Sequence, residues 1–161
     1  WLGARITREA GICLATRPRP ATSSPVMLNI LRLSFLSGCS DLGLLVLRVS
    51  LGFTMLLLHG WKKFENFSEI APGFLSLFGL PSHISLGLAV FAEVVCSVLL
   101  IVGLFTRFAA LNLAVTMAVA FFIAHGGAFA GDKPGELAFV YLTGYLALVF
   151  TGAGKYSADG R

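Results

Sequence analysis

Residues 84–125 read ISLGLAVFAEVVCSVLLIVGL, then FTR, then FAALNLAVTMAVAFFIAH. The two apolar runs, 84–104 and 108–125, are separated only by Phe105-Thr106-Arg107. Each approaches the roughly 20 residues that a helix needs to cross a hydrocarbon core. Strands do not fit, because an isolated strand would leave its backbone N–H and C=O groups unpaired in lipid. So short a link makes the two helices antiparallel neighbours. Within this hairpin Glu93 lies near the middle of the first arm.

Two more stretches, 42–61 and 136–153, have the same character, and Gly and Pro mark the breaks between them. The whole chain agrees: 161 residues are 57% hydrophobic and 12% charged, with a mean hydropathy of +0.85. Soluble domains carry about twice that share of charge. The expected fold is all-α, an integral membrane four-helix bundle over residues 42–161, preceded by a lead-in at 27–41. Ala110, Ala114 and Ala118 recur every four residues, a spacing that lets helix backbones approach closely in lipid.

The +4 formal charge is concentrated at the start of the chain. Arg5, Arg8, Arg17 and Arg19 precede Met27, opposed there only by Glu9. With the Pro- and Ser-rich run before Met27, residues 1–26 read as a disordered basic extension that the mature protein need not retain; a targeting segment is the competing reading. No basic folded face is apparent, so nucleic acid is set aside as a partner. Cys13, Cys39 and Cys96 form no zinc, haem or redox pair spacing. Beyond Met27, Arg32, Arg107, Lys155 and Arg161 fall on the N-terminal side of the membrane, against Lys62, Lys63 and Lys133 on the other. That margin of one charge places both termini in the cytoplasm. The link at 71–81, APGFLSLFGLP, is too short to span and too apolar for water. It is expected to lie in the interface or to fold back on the bundle.

Ionisable groups inside a membrane are functional candidates because each costs at least a few kcal/mol. Glu93 is one, and Arg48, about two turns into the first span, is the other. Their depths suggest an Arg48–Glu93 ion pair, serving either chemistry or helix register. Ala89, Glu93 and Ser97 share a face at helical spacing. A second cluster follows from up-down topology: His59 and His125 end their spans where Glu136 begins the fourth, with Lys62 beside them. Such a group could exchange protons. Trp61, Lys63 and Lys133 read as interfacial anchors, although Trp61 could also wall a ligand site.

The pattern Arg48…Gly52…His59-Gly60-x-Lys62-Lys63-Phe64 resembles the first helix of the DoxX family. Glu93, then Gly103-Leu104-Phe105-Thr106-Arg107, His125, Gly135-Glu136-Leu137-Ala138, Tyr141, Gly152-Ala153-Gly154 and Ser157-x-Asp159 extend the likeness over about 42–160. The resemblance implies a small four-helix protein of the bacterial inner membrane, with relatives attached to quinone-linked sulfur oxidation and thiol-stress systems. It also implies that Arg48, His59, Lys62, Glu93, Arg107, His125 and Glu136 line a polar interior.

The resulting expectation is a redox-linked accessory subunit that binds a quinone without covalent attachment. His59, Glu93 and Glu136 would carry its proton chemistry. Arg48, Trp61, Lys62, Arg107 and His125 would hold the ligand, with no metal. Its partners would be the bilayer, a separate redox protein and a second copy of the chain. The alternative is a non-catalytic scaffold or small-solute carrier.

Overall fold

Four helices carry the apolar runs. Helix α1 is Ser40–Glu65, α2 is Ser82–Val102 and α3 is Thr106–Ala124, and α4 is Glu136–Thr151. The first three are long and apolar enough to cross a membrane. At 16 residues, α4 is about 24 Å long, and residues 152–160 continue it as a non-helical cover. The structure, a computed structural model, describes residues 39–77, 79–132 and 134–160, all within the unit Leu36–Arg161. The expected extension at 1–26 and nearly all of the 27–41 lead-in lie outside the described residues.

The helices run up and down, α1 against α2 and α4, and α3 against α2 and α4. Ala109, Ala110, Leu113 and Ala114 of α3 are buried with Leu142, Tyr145 and Leu148 of α4. The alanine stripe thus sits at the tightest helix pair, as close packing in lipid requires. Between α1 and α2 glycine plays that part. A Cβ on Gly60 would stand 2.7 Å from the backbone O of Glu93, and one on Gly52 would stand 3.1 Å from that of Ser97. Phe53, Phe108, Phe122 and Phe150 are exposed, as befits an outer face solvated by lipid tails.

Three helices depart from α geometry partway along. Leu56–Gly60 in α1, Phe91–Cys96 in α2 and Ala120–Ala124 in α3 are π-helical. Such wide turns, with i→i+5 bonds, are uncommon and gather at functional sites. Here each contains or directly precedes a candidate residue: His59, Glu93 or His125.

The link between α1 and α2 folds back on the bundle. After a short helical turn at Phe67–Ile70, the Leu77 N–H donates to Ser85 Oγ at 3.2 Å. The Ser76 hydroxyl donates to Leu80 O at 3.0 Å. Phe74, Leu75, Leu77 and Leu80 lie against α2 and α3.

Candidate functional site

Glu93 is 1% exposed, held in the π turn near the middle of α2. Its partner is Lys63: Nζ lies 2.5 Å from Oε1. The expected Arg48–Glu93 pair is therefore wrong. Lys63 also differs from the anchor it was expected to be, since α1 continues to Glu65 and carries it inward. The cause is geometric. On a regular helix Lys63 would point about 80° away from the buried Met55. The π turn at Leu56–Gly60 unwinds the helix by about 90°, at roughly 4.4 residues per turn, and brings Lys63 back onto the buried face.

His59, half-buried one turn earlier, sets its ring edge-on to Tyr141 of α4 at 5.9 Å. It lies in the electrostatic field of Glu93, Lys63 and Lys62. Tyr141 stacks in turn on Tyr145 at 5.9 Å. Three helices thus contribute to one buried polar group built on Glu93.

Beside it opens a cavity of about 520 Å³ between α2, α3 and the folded-back link. Leu88, Ala89, Phe91, Val115, Val119, Leu77 and Leu80 give it apolar walls. Its polar lining is sparse: Lys63, Glu93, Ser85, Asn112, Thr116 and His125. Residues 93 and 116 stand about a dozen positions either side of the α2–α3 turn, so Thr116 is level with Glu93. His125 lies nine residues further, about 14 Å along α3, towards the membrane surface. Ala89 and Glu93 line the cavity, while the fully buried Ser97 does not. One buried atom needs a partner: Glu93 Oε2 has no hydrogen bond among the described residues.

The remaining candidates lie elsewhere. Arg48 is 1% exposed near the opposite end, where its Nη2 donates to Tyr156 O at 2.6 Å and it feels Asp159. Asp159 accepts from the Phe105 and Thr106 N–H groups at 2.9 and 2.8 Å and so caps α3. These bonds, the one from Thr106 foremost, hold its carboxyl below the ordinary carboxylate value. Gly103, at φ 77, lies against Arg48 where any Cβ would collide with the guanidinium. Arg107 is exposed beside Gly152 on a second cavity of about 480 Å³.

Arg48 and Arg107 therefore belong to a C-terminal latch and not to the Glu93 site. Trp61 and Lys62 are exposed and line neither cavity. Glu136 is exposed in the first turn of α4, with no ion pair among the described residues, and lines neither cavity. Of the expected set, the structure brings together His59, Glu93 and, at the far end of the cavity, His125.

The DoxX family pattern matches residues 43–126, from the start of α1 through His125. The chain belongs to the DoxX family. An uncharacterized protein of Haemophilus influenzae is 39% identical over 112 residues, covering 66% of this chain and 81% of the relative. A second uncharacterized protein of that organism is 34% identical over 125 residues, covering 74% of the chain and 83% of its own length. No solved structure matches. The family match takes in Lys63, Glu93, the cavity walls and His125; α4 and the latch segment 152–160 lie beyond it. This DoxX protein is a multi-pass membrane protein in contact with the lipid bilayer. Sequence reasoning missed Lys63, and Phe74, Leu75, Leu77 and Leu80 of the link as a wall. The i, i+4 spacing of His59 and Lys63 is the signal that could have shown Lys63.

Proposed function

We propose that this DoxX protein is a redox-linked accessory subunit that binds a lipophilic quinone-type ring carrier in the cavity beside Glu93. The observation behind this reading is the combination of a 520 Å³ apolar chamber with a buried carboxylate that has one oxygen unpartnered. The chamber is within the range of small-molecule sites, which are mostly apolar with a few convergent polar groups. Lys63 and Glu93 would meet the polar edge of the ring. The walls from α2, α3 and the link residues Phe74, Leu75, Leu77 and Leu80 would hold its alkyl chain and exclude water. His59 and His125 are the groups suited to exchange protons between this depth and the membrane surface. Electrons would come from a separate protein. The setting is a bacterial inner membrane with both termini cytoplasmic.

Photolabelling with an azido-substituted quinone in nanodiscs tests this. Label should fall on 74–80, on α2 near Leu88–Glu93 and on α3 near Asn112–Thr116, and unlabelled quinone should compete it away. Label spread over lipid-facing positions such as Phe53 and Phe150, without competition, would sink the carrier site. It would leave the scaffold or small-solute carrier reading in its place.

A further inference from the structure

Among the described residues that line the cavity, the buried side-chain atom left without a partner is an acceptor, Glu93 Oε2. As the anionic partner of Lys63, Glu93 can only accept, and its Oε2 is buried without a donor. Level with it on α3, Thr116 spends its proton on Asn112 O at 2.9 Å, so its oxygen faces ligands as an acceptor. Asn112 Nδ2 is engaged with Phe108 O at 2.8 Å, which leaves one amide N–H and the carbonyl. Lys63 has N–H groups to spare, but its side chain is 29% exposed and, two residues from the end of α1, can turn them to partners outside the cavity. Glu93, at 1%, cannot.

The unmet demand is thus for a donor. A dicarbonyl ring edge would set its oxygen lone pairs against those of the carboxylate. A hydroxylated ring edge would donate to Oε2, and hydrogen bonds to charged groups are the stronger kind.

We infer that the cavity selects the reduced, hydroxyl-bearing form of its ring carrier over the oxidised dicarbonyl, with Glu93 as the specificity-determining residue. This rests on the carrier reading above and deepens it. The selection is one of binding. The ligand hydroxyl proton is shared with Oε2, the ion pair with Lys63 stays intact, and no bond is made or broken.

The test uses the full chain in nanodiscs under anaerobic, reducing or non-reducing buffer as each ligand requires. Three ligands on one scaffold are titrated: a decyl para-hydroquinone, its para-quinone and its dimethyl ether. Affinities are expressed per mole of ligand in the lipid, which removes differences in partitioning. The hydroquinone should bind about tenfold or more tighter than either of the others, the scale of a hydrogen bond to a charged group. Glu93→Gln, whose amide can donate to a carbonyl, should abolish or reverse that preference. If the variant fails to fold, the wild-type comparison still decides. Equal affinity for all three would mean that water satisfies Oε2, and a tighter quinone would mean that Lys63 dominates. Either result overturns the selection and keeps the carrier site. No saturable binding by any of the three would overturn the carrier reading itself.

Discussion

Replacing Lys63 with Met would strand the Glu93 carboxylate in a low-dielectric setting, which is the costly half of any buried ion pair. The expected loss is about 2–3 kcal/mol, below the roughly 3–5 kcal/mol of a fully buried pair because Lys63 is partly exposed. Glu93→Gln in the same chain should recover most of it, since the amide needs no counter-charge. Unfolding in a denaturing detergent series, run as a double-mutant cycle, measures the coupling. Additive losses would show that the two residues stabilise the bundle independently. Gly103 is a second sensitive point. Ala there meets both a left-handed backbone, φ 77, and the Arg48 guanidinium. It should cost about 2–3 kcal/mol, the upper part of the ordinary range for point changes. The same unfolding assay reads it, and an unchanged midpoint would mean that Arg48 has room to move.

Among the elements, the π turn of α1 acts as a phase shifter. It absorbs one residue, so deleting Leu58, which is 56% exposed, should let α1 revert to α geometry with Lys63 still directed at Glu93. Inserting one Ala after Leu58 should instead turn Lys63 by about 100° and break the pair. The insertion is expected to lose as much stability as Lys63→Met, and the deletion clearly less. The reverse order would refute the phase-shift account. At the other end, the cap of α3 depends on an ionised Asp159. Its carboxyl is held below the ordinary 3.8. The stabilisation is therefore fully present above pH 3.8 and is lost as pH falls through the lower folded value. Asp159→Asn should lower stability at pH 7, and its difference from wild type should shrink below about pH 3.8. A difference that stays constant into acid would remove Asp159 charge from the explanation.

At the scale of the molecule, the bundle has two ends with different tasks. One is latched by residues 152–160 through Arg48, Asp159 and the Asp41–Lys155 contact, where Lys155 N–H donates to Asp41 Oδ1 at 3.1 Å. The other carries the Glu93 cavity. If the latched end is cytoplasmic, Cys39, exposed at the start of α1, should resist a membrane-impermeant maleimide in spheroplasts. It should react in inverted vesicles, in a Cys13→Ser background. Labelling in spheroplasts would reverse the orientation and place the Glu93 cavity mouth on the cytoplasmic side.

Helix number, approximate span positions and membrane residence were legible in the sequence. They depend on hydropathy over about 20 residues, a property that survives local irregularity. The burial of Glu93 was legible for the same reason, because a carboxylate in the middle of an apolar run has no route to water. Its partner was not. Arg48 and Lys63 are both cations of the first helix, and choosing between them depends on helix phase. Sequence periodicity assumes 3.6 residues per turn throughout, and three π turns violate it where the site is built. Nor could local sequence show that Phe74, Leu75, Leu77 and Leu80 wall a cavity, that Glu136 lines none of it, or that Asp159 reaches back to cap α3. Those are contacts between residues far apart in the chain, decided only when four helices pack and each side chain must find the partner that burial demands.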